Sequence, residues 1–239
     1  FNTMKYKNIF FDLYGTLIDI KTDDYKPEIF YNLSNFLNYE GIRVEKEFFQ
    51  SRFEENIKHQ LSVSQEKYPD VDIKKAFYDT ILSFGYNTCD YLLDTIMKIY
   101  RTLSILEFNV FDDVHKVLSN LKKDYNLGLI SDAQTIFLYK EISILSLESY
   151  FSSITHSSVL GFRKPDERIF KIALDKANVK ASESVYIGDS IKRDIGSKKA
   201  GMTFILIKRG ESIYDKESGE ADVVVNTLEE AQHYIRSNI

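Results

Sequence analysis

The sequence predicts an α/β fold, a Rossmann-like, doubly wound parallel sheet with a helical domain inserted after its first strand. Three observations predict it. From Phe108 onward, apolar runs of strand length alternate with amphipathic helical stretches. A separate apolar run, Asn8 to Phe11, stands near the head of the chain. Between the two, from about Tyr25 to Leu106, the pattern is helical throughout. Strands that alternate with helices need crossover connections, and these build parallel sheets covered on both faces.

Asn8 to Phe11 is the first strand and runs directly into Asp12. Four helical stripes follow. Ile29, Leu33, Phe36 and Leu37 share a face, and Gly41 is a natural stop. Phe48, Phe49, Phe53 and Ile57 mark a second helix. Ala76, Thr80, Leu82 and Phe84 lie in a third, and Leu92, Leu93, Ile96, Ile99 and Tyr100 in a fourth. This block reads either as an elaboration of one domain or as a lid over the sheet's carboxyl edge. Open parallel sheets place their sites at that edge, and a lid excludes water, so the lid is expected. The expected division is a core of residues 4–20 and 107–239 and a helical cap of 21–106.

The second half supplies the rest of the sheet. Val114, Val117, Leu118 and Leu121 form a helical face, and Asn126 to Ile130 a buried strand. Ile169, Ile172, Ala173 and Ala177 form the next helical face. Strands follow at Ser184 to Ile187, Thr203 to Ile207 and Asp222 to Val225, and Leu228, Ala231 and Ile235 give a closing helix.

Composition narrows the function. A net charge of -5 without a concentrated basic face argues against a nucleic-acid partner. The longest apolar runs are strand-length, so no membrane span is expected, and no secretory signal is visible. Cys89 is the only cysteine, which excludes an internal disulfide and a cysteine-based zinc site. A cytoplasmic location is the expectation. His59, His115, His156 and His233 lack ligand spacing. Nothing in the pattern bears on oligomeric state.

Four short motifs sit at expected strand ends. Asp12 ends the first strand, with Gly15 allowing a tight turn behind it. Ser131 and Asp132 end the strand of Leu129 and Ile130. Lys164 stands in a loop before Pro165 and a helix. Gly188 and Asp189 end the strand of Val185 to Ile187, and Asp194 follows five residues later. Singly, Asp12 and Ser131 read more readily as a turn or helix cap and the lysine as solvated surface, while Asp189 and Asp194 already read less well as caps. Their order along the chain is what carries the argument. A serine hydroxyl beside a helix N-terminus can hold a phosphate oxygen. The Lys164 ammonium can neutralise both a carboxylate and a transferred phosphoryl group. Crowding Asp189 and Asp194 beside Asp12 is costly without a cation, and an all-oxygen set with room for water suits Mg²⁺.

In this combination the chain resembles the haloacid-dehalogenase-like hydrolase superfamily, in the subclass with a helical cap after the first motif. The resemblance implies that Asp12 attacks phosphorus and becomes an aspartyl-phosphate. It implies that Ser131 binds phosphoryl oxygens and that Lys164 steadies nucleophile and phosphate. Mg²⁺ would be held by Asp12, the Tyr14 carbonyl, Asp189 and Asp194, the last through a metal-bound water. Leu13, Thr16, Ser131, Asp132 and Lys164 would surround a small phosphorylated metabolite.

Tyr14 departs from the pattern. Most such phosphatases carry an aspartate there, as acid for the leaving alcohol and base for water. A phenol with a reference pKa of about 10 donates a proton but is a poor base at neutral pH. The same tyrosine resembles that of the true 2-haloacid dehalogenases, which attack carbon without a metal. Gly188-Asp189 and Phe170 argue against that reading, because the dehalogenases carry a Ser-Asn type sequence and a tyrosine at those places. Asp132 also departs from the asparagine common to both groups, and a carboxylate there would repel an anionic substrate unless Mg²⁺ is present. A third reading is a binding or regulatory protein that kept the fold. The buried acidic cluster disfavours it, since such a cluster has no structural benefit without its cation. The sequence therefore favours a Mg²⁺-dependent phosphatase.

Overall fold

The computed structural model describes residues 5–210 and 218–238. Residues 4, 211–217 and 239 of the expected core lie outside the described residues. The chain runs β1 (Asn8–Phe11), β2 (Ile18–Thr22), α1 (Pro27–Tyr39), α2 (Lys46–Val63), α3 (Ile73–Ser83) and α4 (Asp90–Ser104). It continues through β3 (Ile105–Val110), α5 (Val114–Leu121), β4 (Asn126–Ser131), α6 (Thr135–Ile144), β5 (Ser153–His156) and α7 (Glu167–Ala177). It ends with β6 (Ser184–Gly188), α8 (Ile191–Asp194), α9 (Gly196–Lys199), β7 (Thr203–Ile207), β8 (Val223–Val225) and α10 (Leu228–Ser237).

Six strands form one parallel sheet in the order β5-β4-β1-β6-β7-β8. The expected doubly wound α/β fold is therefore present. β1 is buried along its whole length, which explains why it reads as a continuous apolar run. It lies between β4 and β6, where the strand order reverses, and open sheets bind ligands at such a switch point. Register aligns the ends. Phe11 pairs with Leu129 on one side and Ile187 on the other. Asp12, Ser131 and Asp189 consequently emerge from neighbouring strands at one edge.

The two faces of the sheet are covered by separate apolar clusters. Leu118, Leu138 and Ile235 pack with Ile9 and Phe11 on one face, while Phe170, Ile169 and Phe204 pack with Phe10 and Tyr186 on the other. Helices α1 to α4 share a third cluster. Its centre is aromatic, with Phe53 and Phe77 stacked at a centroid distance of 4.4 Å. Phe137 of α6 also enters this cluster and so joins the helices to the sheet domain.

Three features differ from the sequence reading. β2 and β3 form an antiparallel ribbon, with Ile18 opposite Val110 and Lys21 opposite Glu107. The expected boundaries at 20/21 and 106/107 cut through these strands, so the crossing between core and helices is a ribbon, not a pair of loops. The ribbon was hidden because both strands carry mixed, partly exposed residues and lack a buried apolar run. The edge strand β5 was hidden for the same reason, being short and largely polar. Within α3 the inner face is Ala76, Phe77, Thr80 and Ile81, and Leu82 faces solvent.

Candidate active site

The turn after β1 fixes the first group. Asp12 is 2% exposed, and its amide donates to the Ile187 carbonyl, tying it to β6. Its Oδ1 accepts from the Leu13 amide at 2.8 Å and from Lys164 Nζ at 2.8 Å. Its Oδ2 is buried and has no hydrogen-bond partner among the described residues. One oxygen is thus held and the other is free to react. Gly15 takes a φ of +82°, and a side chain there would overlap the Asp189 carboxylate. The turn needs glycine for both reasons.

Lys164 is fully buried and spends its three N–H groups on Asp12 Oδ1, Asp194 Oδ1 at 2.8 Å and the Tyr186 hydroxyl at 3.0 Å. Burial disfavours its charge, but Asp12 and Asp194 more than offset this and raise its pKa. Tyr186 also reaches Asp194 Oδ1 at 3.0 Å, and Asp194 Oδ2 accepts from the Ser190 amide at 3.0 Å. Both Asp194 oxygens are therefore already engaged. Gly196 lets α9 pack against the Pro165 carbonyl and Phe170, which seats the Lys164 loop.

Asp12, Asp189 and Asp194 each offer an oxygen within 4.8 Å of the others. Burial first, and then the charge of Asp12, pushes the Asp189 carboxyl up to about 7. Arg193, 3.3 Å from Asp189, offsets part of this repulsion. The raised Asp189, crowded by the charge of Asp12, is what a hard divalent cation would relieve, so the donor set fits one.

Ser131 completes the site at the end of β4. It is fully buried and its hydroxyl has no partner among the described residues. Asp132 accepts the Lys164 amide at 3.0 Å through Oδ1, while its buried Oδ2 is unpartnered. Leu13 sends its side chain into the main core and offers the site only its backbone. The Thr16 hydroxyl is buried without a partner among the described residues, and its carbonyl accepts from Arg209, whose guanidinium also grips Asp113.

Tyr14 does something the sequence did not disclose. Its hydroxyl donates to Glu141 Oε2 at 2.5 Å, and Glu141 accepts from Arg101 at 2.6 and 3.2 Å. The Arg101 guanidinium lies over the Phe137 and Tyr14 rings. Burial, and next the Glu141 charge, hold the phenol well above its ordinary pKa. Sequence reading passed over both partners. The available signal was an acid on the inner face of α6 beside Phe137 and Leu138, and an arginine next to the buried Tyr100.

Between this edge and the helices lies a cavity of about 430 Å³. Tyr14, Asp132, Asp70, Arg101, Arg163 and Arg193 contribute to its wall. Asp24, from the turn between β2 and α1, also lines it. Arg52 instead stacks on Phe84, and Lys58 and His59 are exposed.

With this geometry in place, comparison with known proteins decides the family. A profile described as haloacid dehalogenase-like hydrolase matches residues 9–207. The chain belongs to the haloacid dehalogenase-like hydrolase family. A glyceraldehyde 3-phosphate phosphatase of Methanocaldococcus jannaschii is 26% identical over 148 residues, 61% of this chain and 65% of the relative. Its counterpart in Pyrococcus furiosus is 38% identical over 117 residues, 47% and 49% of the two chains. A phosphoglycolate phosphatase of Agrobacterium fabrum is 26% identical over 157 residues, 65% and 67% of the two chains. The chain spans half to two thirds of the length of these relatives. Two solved structures share the fold. A 2-haloacid dehalogenase from Pseudomonas syringae has a TM-score of 0.70 at 23% identity, over 97% of this chain and 99% of the other. A phosphatase of the family from Thermococcus onnurineus has a TM-score of 0.63 at 21% identity, over 96% and 97%. Among the described residues, no helix is long and apolar enough to cross a membrane.

Proposed function

We propose that this hydrolase is a Mg²⁺-dependent phosphatase of small phosphorylated metabolites, with Asp12 as nucleophile. One observation carries the reading: Asp12 presents a single unpartnered buried oxygen beside Asp189 and Asp194. A carbon-attacking dehalogenase works without a metal and has no use for the Asp189 carboxylate at this edge. The phosphatase names of the curated relatives agree with the choice.

Lys164 and the Leu13 amide hold Oδ1. Oδ2 then bonds to phosphorus as the bond to the leaving oxygen breaks. The Ser131 hydroxyl and the Leu13 to Gly15 backbone face the phosphoryl oxygens. Water hydrolyses the aspartyl-phosphate and restores the carboxylate. Bound Mg²⁺, held by Asp12, the Tyr14 carbonyl and Asp189, would neutralise charge on the phosphoryl group. Asp194, with both oxygens engaged, would orient Lys164 and reach the metal only through water. Helices α1 to α4 act as the lid over this edge and line the cavity that receives the rest of the substrate.

The test is a panel of phosphorylated metabolites assayed with and without Mg²⁺, alongside halide release from 2-chloropropionate. Phosphate release that requires Mg²⁺ and is lost in Asp12→Asn supports the reading. Halide release that survives a chelator would replace it with the dehalogenase.

A further inference from the structure

We propose that Asp132 is the acid–base residue of this site, a role that rests on the phosphatase reading above. Position 14 cannot fill it, because the single phenolic proton of Tyr14 is donated to Glu141, and Glu141 is itself saturated by Arg101. The cavity wall that carries Tyr14 also carries Asp132. Arginines on that wall donate hydrogen bonds but do not surrender protons.

Asp132 directly follows Ser131 at the end of β4, and Lys164 holds its Oδ1. Its Oδ2 is buried without a partner among the described residues. A buried oxygen in that state is costly unless a ligand completes it. Its surroundings are those of the nucleophile, since Lys164, Tyr186 and Arg193 each feel its charge together with those of Asp12 and Asp194. Burial raises its proton affinity, with a further push from Asp70, against the pull of Lys164 and Arg193. A protonated Asp132 also removes the repulsion that a carboxylate would exert on an anionic substrate. Asp70 also has a buried oxygen without a partner among the described residues, but the cation that acts on it most is Arg163 and not Lys164, which sets it apart from the nucleophile's surroundings.

The proton balance is simple. As Asp12 Oδ2 bonds to phosphorus and the bond to the leaving oxygen breaks, Asp132 Oδ2 passes its proton to that oxygen. The products are the alcohol, the aspartyl-phosphate and an Asp132 carboxylate. That carboxylate then takes a proton from water while the water oxygen bonds to phosphorus and the bond to Asp12 breaks. Phosphate leaves, and both aspartates return to their starting forms.

The experiment compares p-nitrophenyl phosphate, whose leaving group needs no proton, with glycerol 3-phosphate, whose leaving group does. Asp132→Asn keeps the acceptor for the Lys164 amide and loses the proton. Expected is a fall in kcat on glycerol 3-phosphate of about 10²- to 10⁴-fold. With p-nitrophenyl phosphate, a burst of nitrophenol equal to the enzyme should persist and be followed by slow turnover. Adding Tyr14→Asp to Asp132→Asn should restore turnover at least about tenfold, by returning a carboxyl to the motif-one position. A kcat within about threefold of wild type in Asp132→Asn overturns the proposal. So does a rise in KM alone, or a burst lost in proportion to turnover. Wild-type protein that releases nitrophenol from neither burst nor turnover overturns the phosphatase reading itself.

Discussion

Two buried clusters of the same make-up flank the cavity, and they differ in charge balance. Each contains a tyrosine hydroxyl, carboxylate and cation. In the first, Lys164 faces Asp12 and Asp194, with Asp189 close by and Arg193 at its edge. Three carboxylates meet two cations. In the second, Arg101 meets Glu141 alone, and Tyr14 completes the contact. The first cluster leaves a reactive oxygen and a shortage of positive charge. The second leaves neither. The imbalance is what the cation and phosphoryl group of the proposed reaction would relieve, and balance marks a fastening. The fastening joins α4 to α6, and so the helical block to the sheet domain.

The largest effect expected from breaking this contrast is on the unbalanced side. Asp12→Asn removes the attacking oxygen while leaving a group that still accepts from Leu13 and Lys164. Phosphatase turnover should fall by roughly 10⁴-fold or more, read by phosphate release and by loss of the nitrophenol burst. Melting temperature should change little or rise, since a buried negative charge has been removed from a surplus.

The balanced side should respond in the opposite sense. Glu141→Gln leaves Arg101, mostly buried, without its counter-charge. Removing one partner of a buried pair costs about 3–5 kcal/mol. Denaturant unfolding should show that loss, far more than Asp12→Asn does. Equal stability losses in the two variants would erase the distinction drawn between the clusters.

These clusters also show what the sequence could disclose. Asp12, Ser131, Lys164, Asp189 and Asp194 were legible because each follows an apolar strand or precedes a helix, and parallel register brings strand ends together whatever the intervening length. Arg101 lies in the last turn of α4 and Glu141 within α6, 40 residues apart, and their meeting depends on how α4 packs on α6. No local pattern encodes that packing. The six-stranded sheet was legible where strands are buried on both faces, as in β1 and β6. It was not legible in β2 and β3, whose exposed positions erase the apolar run, or in β5, which is four residues long and mostly polar. The same holds for α3, where packing against α2 chose Ile81 over Leu82 as the inner residue.

A smaller effect separates the clusters through Mg²⁺. Saturation at about 100 times the dissociation constant adds about 2.7 kcal/mol, which for a chain of this length is roughly 5–10 °C of melting temperature. The shift should vanish in Asp189→Asn and survive in Glu141→Gln. Its pH dependence follows from Asp189. In the metal-free fold this carboxyl is pushed up to about 7, above the ordinary value of 3.8 that the unfolded chain shows. The folded state therefore holds the extra proton, and metal-free stability falls as pH rises from about 4 through about 7. Mg²⁺ needs the carboxylate, so its stabilisation should grow across that window. A thermal shift independent of pH between 4 and 8 would remove Asp189 from the donor set.

The smallest effect tests how far the fastening depends on Tyr14. Tyr14→Phe deletes one hydrogen bond to Glu141 but leaves the ion pair with Arg101 in place. Glu141 remains satisfied, so no buried charge is stranded. A hydrogen bond to a charged acceptor is worth about 1.5–3 kcal/mol, and the loss should lie at the low end because Arg101 still holds both oxygens. Turnover should be little changed, because the phenol spends its proton on Glu141 and not on substrate. A stability loss as large as that of Glu141→Gln would mean that Tyr14 holds the pair together. A selective loss of glycerol 3-phosphate hydrolysis in Tyr14→Phe would mean that the phenol is itself the acid, and that the two clusters act on the substrate together.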